Sequence, residues 1–271
     1  MRLKTRWMGT LALACAFSAI ATAQPPAPES GIIGIAHIAF RVSDLDREIA
    51  FLGKLGYQES FAINNGKSIA EVFVKINDRQ FIELYPPKSE TNGLGLMHIC
   101  YESDSLQQLA ALYVSRGLPM SAVKKGGAGN LITSLHDPFG QEVEITQYLP
   151  GSRHFEDRGK HLGASRISDE LQGIELPVPD IDEAMKFYTV AFGFEQWKDF
   201  RGARLRISSD ADQWIALEAA GAGARPRLVF RVPNVKRAAD QLRKKGLKLA
   251  FRKGSACIDD PDGNLFIFSE Q

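Results

Sequence analysis

Cysteine is scarce in this chain, with three residues among 271, at Cys15, Cys100 and Cys257. That excludes a disulfide framework, so the fold must rest on its apolar cores. Long hydrophobic runs are missing too. The run from Met8 to Ile20 is too short for a stable membrane anchor. No charge of one sign prevails, since 33 Lys and Arg face 32 Asp and Glu. Neither nucleic acid nor an anionic membrane surface is therefore an expected partner. Histidine is limited to five residues, which makes the positions where it falls informative.

The chain begins with Arg2, Lys4 and Arg6, then the short apolar run, then Ala21-Thr22-Ala23, the small-x-small pattern at which export signals are cut. Residues 1–23 are expected to be a cleaved signal peptide, which places the protein in the periplasm or outside the cell. Cleavage leaves about 248 residues with 30 basic and 32 acidic side chains, a net charge of −2. Cys100 and Cys257 survive it, fall in different halves and are not expected to pair.

A unit of strand, helix and three strands occurs four times, an α+β pattern. Apolar residues recur with helical period at Leu45, Ile49 and Leu52, at Leu106, Leu109, Ala110 and Tyr113, at Ile181, Ala184, Met185 and Tyr188, and at Val235, Ala238, Ala239 and Leu242. Each set follows a residue able to cap a helix: Ser43 or Asp44, Asp104, Asp180 and Asn234. Strands are expected over 35–42, 71–76, 80–85, 96–102, 131–135, 142–147, 174–178 and 228–232. The units pair into halves at 31–149 and 170–271. The intervening 150–169 is polar and lacks apolar periodicity, so it reads as a solvated linker, with His154 and His161 inside it.

His37 and His98 lie 61 residues apart, and so do Glu83 and Glu144; each His precedes its Glu by 46. The local words repeat as well: His37-Ile38-Ala39-Phe40 answers His98-Ile99-Cys100-Tyr101, and Ile82-Glu83-Leu84 answers Val143-Glu144-Ile145. A carboxylate within an apolar strand word is costly to bury alone. If the two units curl together, strand alternation puts two imidazoles and two carboxylates on one concave surface. That donor set suits one divalent first-row ion (Zn, Ni, Fe, Mn or Co) and not a soft, thiolate-seeking one. His37, Glu83, His98 and Glu144 are the candidate metal ligands. Open coordination positions would accept a small substrate with neighbouring oxygens, polarised by a Lewis acid.

These words resemble the vicinal oxygen chelate superfamily, which holds glyoxalase I, methylmalonyl-CoA epimerase, extradiol dioxygenases and the bleomycin- and fosfomycin-resistance proteins. The matching stretches are His37-Ile-Ala-Phe-Arg-Val-Ser-Asp-Leu, Phe81-Ile-Glu-Leu-Tyr, His98-Ile-Cys-Tyr-Glu and Asp137-Pro-Phe-Gly-Gln-Glu-Val-Glu-Ile. The resemblance implies paired βαβββ modules forming a cup around a metal, with two such domains here. It also implies that a carboxylate at Glu83 belongs with glyoxalase I, because extradiol dioxygenases lack a ligand there. In that branch a ligand Glu shuttles a proton beside a carbonyl, a catalytic role carried onto Glu144, with Glu83 the other candidate. Modules pair within or between chains in the family, so a homodimer is among the arrangements implied.

Repeat alignment places Gly173, Ala216, Arg227 and Ile267 at the four ligand positions of the second half, a degenerate domain without metal ligands. Near the site, Cys100 is read as apolar filler, Tyr85 and Tyr148 as core aromatics, Trp197 and Trp214 as packing of the second half, and His136 as outside the site. Three functions stand open. The first is an exported metal-dependent glyoxalase-like lyase or isomerase working through a metal-chelated enediolate. The second is an Fe(II) extradiol-type dioxygenase, and the third a metal-independent small-molecule binding or resistance protein.

Overall fold

The computed structural model describes residues 30–88, 93–197, 202–207, 212–221 and 223–270. The expected signal peptide lies outside the described residues. The first half runs β1 (Gly34–Arg41), α1 (Leu45–Lys54), β2 (Gln58–Asn65), β3 (Ser68–Lys75), β4 (Phe81–Tyr85), then β5 (Gly95–Glu102), α2 (Leu106–Ser115), β6 (Lys124–Lys125), β7 (Leu131–His136) and β8 (Glu142–Gln147). A short α3 (Arg153–Glu156) follows in the linker. The second half runs β9 (Leu171–Val178), α4 (Ile181–Lys186), β10 (Glu195–Gln196), β11 (Ala203–Arg206), β12 (Trp214–Ala219), then β13 (Arg227–Arg231), α5 (Val235–Lys244), β14 (Ala250–Arg252), β15 (Ser255–Asp259) and β16 (Leu265–Ser269). The βαβββ unit thus recurs four times.

Each half forms an eight-stranded sheet, in the orders β2-β3-β4-β1-β5-β8-β7-β6 and β10-β11-β12-β9-β13-β16-β15-β14. At the centre of the first, β1 runs antiparallel to β5, and each lies parallel to the last strand of its own unit, β4 or β8. The second repeats this with β9, β13, β12 and β16. The four central strands of the first sheet are therefore those that carry His37, His98, Glu83 and Glu144. Strand alternation sends Ile38, Phe40, Ile82, Leu84, Ile99 and Ile145 to the opposite, helix-bearing face.

Both halves share one apolar core on that face. Phe51 of α1 packs edge-on against Phe266 of the second sheet, and Tyr101 of the first sheet against Phe194. Equivalent glutamines stitch the halves together. Gln80 donates to the Leu171 carbonyl (2.8 Å) and accepts from its N–H (3.0 Å). Gln213 accepts from the Ile35 N–H at 2.6 Å.

Three helices start at the expected caps, with Asp44, Asp180 and Asn234 accepting from Arg47, Glu183 and Arg237 N–H groups. The second does not. Its cap position is Ser105, which makes no side-chain cap bond. Gln147 does the work instead, accepting from Leu106 N–H and donating to the Asp104 carbonyl. Helix α4 widens into a π turn over Phe187–Ala191, seating Phe192 and Phe194 in the core. Gly56 closes α1 with φ 88°, where a Cβ would stand 2.4 Å from the Ser165 carbonyl oxygen.

The linker departs from the solvated connector expected of its composition. Ser152 caps α3 by accepting from Phe155 N–H, Arg153 donates to the Ala62 carbonyl, and the fully buried Lys75 donates to Asp157 at 2.9 Å. The charges that make it look water-loving tie it across the first sheet. His154 is buried as a result, whereas His161 stays largely exposed beside Asp157.

Candidate metal centre

Two rows of side chains cross the concave face of the first sheet. One reads Phe81, His37, Cys100, Glu144; the next reads Glu83, Ala39, His98, Glu142. Glu83 and His98 thus flank Ala39, and His37 and Glu144 flank Cys100. Small residues between the ligands leave the space into which the larger ones lean.

The Nε2 atoms of His37 and His98 stand 3.0 Å apart. Glu83 Oε2 lies 3.1 Å from the first and 3.0 Å from the second, and Glu144 Oε1 lies 3.5 Å from His37 Nε2. Ligands about 2.1 Å from a common ion and at right angles to one another stand about 3.0 Å apart. Glu83 Oε2 is buried and makes no well-formed hydrogen bond of its own, while Tyr85 donates to its Oε1 at 2.9 Å. The donor atoms converge on a shared point rather than on one another. His37, Glu83 and His98 therefore fit a divalent cation, with Glu144 at the open edge.

The two carboxylates differ. Burial alone would raise Glu83, but the two close imidazoles outweigh it and hold its carboxyl well below the usual range. Glu144 is raised, by burial first, with the imidazoles only partly opposing. Its side chain is 16% exposed, against 4% for Glu83. Burial lowers His98, but the Glu83 carboxylate 3.0 Å away dominates and pushes it up to about 9.

Several neighbours were given no role from sequence. Glu71 stands on β3 with the same facing as Phe73, which pairs with Glu83. Burial and its contact with Glu83 push its carboxyl to about 7. Strand alternation gives only its facing relative to Phe73; the pairing of β3 with β4 brings it to the site. Cys100 is more than filler: its sulfur clusters with His37 and Glu144. Burial raises the thiol well above its ordinary range, so it stays protonated. Nothing in the sequence placed His154. Its ring stacks on Tyr148 at 4.5 Å and lies edge-on to Phe61, Phe73 and Phe81. Burial pulls it down to about 3, so it is neutral. His136 sits exposed at the end of β7, away from the cluster.

In the second sheet, the corresponding rows read Trp214, Gly173, Val229, Ile267 and Ala216, Glu175, Arg227, Leu265. The register puts Gly173, Ala216, Arg227 and Ile267 at the four ligand positions. A Cβ on Gly173 would meet the Trp214 ring at 2.4 Å, so the indole occupies the space a His side chain there would need.

Two family models described as the Glyoxalase/Bleomycin resistance protein/Dioxygenase superfamily match this chain, over residues 24–133 and 170–268. Among solved structures, it is similar to the Mn(II)-bound glyoxalase from Novosphingobium aromaticivorans at 18% identity, with a TM-score of 0.67 over 88% of this chain and 82% of that one. It is similar to the 2,3-dioxygenase LapB from Pseudomonas sp. KL28 at 18% identity, with a TM-score of 0.66 over 88% and 92%. It is also similar to homoprotocatechuate 2,3-dioxygenase from Brevibacterium fuscum, in its complex with 3,4-dihydroxyphenylacetate, at 17% identity, with a TM-score of 0.62 over 93% and 84%. At these identities the structural likeness speaks to fold alone. No curated protein matches the chain.

Proposed function

The chain belongs to the Glyoxalase/Bleomycin resistance protein/Dioxygenase superfamily, as two vicinal oxygen chelate domains, and on that premise we propose that it is an exported, metal-dependent lyase or isomerase of the glyoxalase-like branch. Its substrate would be a small molecule with neighbouring oxygens. The observation that carries this reading is the inequality of Glu83 and Glu144 around one pair of imidazoles.

His37, Glu83, His98 and Glu144 would hold a divalent ion, which would supply Lewis-acid polarisation of a carbonyl when bound. Glu83, fixed by two imidazoles and Tyr85, stays ionised as a ligand. Glu144 is more exposed and its proton affinity is raised, so it takes a proton from the carbon beside that carbonyl and returns it. Phe73, Phe81 and Tyr148 form a buried apolar cluster with Cys100 beside these ligands.

The test is exchange of substrate carbon-bound hydrogen with deuterated solvent across a set of α-hydroxycarbonyl compounds, using protein whose metal content has been measured. Exchange that disappears in Glu144→Gln while the metal stays bound supports the reading. Exchange that survives in Glu144→Gln sinks the assigned role. The dioxygenase reading draws support from the likeness to LapB and homoprotocatechuate 2,3-dioxygenase. It would replace ours if catechols drove oxygen uptake with Fe(II). Export is proposed from residues 1–23; the mass of protein recovered from the exported fraction, starting near Gln24, checks it.

A further inference from the structure

Cys100 lies in the first cup, and the chemistry proposed there gives it no task. In the row Phe81, His37, Cys100, Glu144 it stands on β5, between the strands that carry two of the metal ligands. Its sulfur, a nitrogen of His37 and a carboxylate oxygen of Glu144 lie within 4.8 Å of one another. They make a second group of possible ligand atoms beside that of His37, Glu83 and His98, and the two groups have only His37 in common.

The groups differ in kind. Two imidazoles and a carboxylate suit a first-row ion, whereas sulfur is a soft donor and adds a preference for thiophilic ions. Charge separates them as well. Within the first group only Glu83 is anionic, and it cancels half of a dication. A Cys100 thiolate and the Glu144 carboxylate together cancel all of it. Cys100 is fully buried and the Glu144 side chain is 16% exposed, so a position with no net charge is the less costly one to fill there. Burial keeps the free thiol protonated. An ion that coordinates the sulfur displaces that proton, which passes to the solvent. Cys257 has no such setting. It is buried in the second cup among Trp214, Ala216, Val229 and Ile267, and it belongs to no group of possible ligands among the described residues.

We propose that the first cup has a second cation position, formed by His37, Cys100 and Glu144, which takes a thiophilic ion such as Cd(II) in competition with the first-row ion. Because the positions share His37, one ion excludes the other. The proposal concerns binding and holds whichever reaction the cup performs.

Cadmium reports on sulfur directly, through the ultraviolet charge-transfer band of a thiolate–Cd(II) bond. The chain has three cysteines, so a Cys15→Ser, Cys257→Ser variant, stripped of metal, leaves Cys100 as its only thiol. Cd(II) is expected to raise the band saturably in this variant, with one ion per chain. Adding Cys100→Ser should abolish the band, and adding His37→Ala should weaken Cd(II) binding at least tenfold. His98→Ala and Glu83→Gln lie outside this group and should keep the band. Mn(II), a harder ion, should raise no band, and an excess of it should shift the Cd(II) titration to higher concentration. No band in the sole-thiol variant, a band lost in His98→Ala, or a Cd(II) affinity unmoved by excess Mn(II) would overturn the proposal. Should Cys100→Ser or His98→Ala lose its circular dichroism signature, the cadmium NMR resonance of the sole-thiol variant decides: a shift typical of one sulfur ligand supports the position, and one typical of nitrogen and oxygen alone refutes it.

Discussion

Glu83 and Glu144 occupy equivalent repeat positions and are chemically unlike. Glu83 touches both imidazoles and Tyr85, whereas Glu144 reaches one imidazole, His37, lies beside the Cys100 thiol and partly faces water. Glu83→Gln is therefore expected to lower metal affinity at least tenfold. Glu144→Gln is expected to keep the metal and lose about 10²- to 10⁴-fold in turnover. Elemental analysis beside initial rates separates the two. His98 gives a pH prediction. Its folded pKa of about 9 is above the ordinary 6.5. In the metal-free protein, the stability it contributes is full below about 6.5 and is lost as pH rises through about 9. A metal ligand must shed that proton, so metal affinity should rise with pH up to about 9. Calorimetry of metal binding in buffers of different ionisation enthalpy counts the released protons; none released near pH 7.5 would refute the assignment.

At the scale of elements, the cup depends on small residues between large ligands. Ala39 lies between Glu83 and His98 on adjacent strands. Ala39→Leu should fill the ligand space and abolish metal uptake while far-UV circular dichroism stays unchanged. The linker is the other decisive element. Lys75 is fully buried and its ammonium is held by Asp157 and Asp78. Removing one partner of a buried pair costs about 3–5 kcal/mol. Lys75→Ala should show that loss in urea unfolding, with new proteolytic cleavage in 150–169. Equal cleavage in the parent would mean the strap is not held.

At the scale of the molecule, the two halves share one core and exchange equivalent glutamine bonds. Unfolding in urea should therefore be a single transition by fluorescence and circular dichroism. Gln80→Ala leaves the Leu171 N–H and carbonyl without that partner and should cost about 2–4 kcal/mol. Two separated transitions in the parent would contradict a shared core.

Period and repeat in the chain already determined the four βαβββ units, most of their helix caps and the facing of His37, Glu83, His98 and Glu144. Those features are local or translationally repeated, and side-chain direction along a strand follows from its two-residue period. Tertiary structure alone decided that β3 lies beside β4 and brings Glu71 to the site. It also decided that a charged linker folds inward to bury His154, and that Trp214 fills the place above Gly173. Each of these depends on which distant segments meet, and polar composition does not reveal whether a charge meets water or a partner.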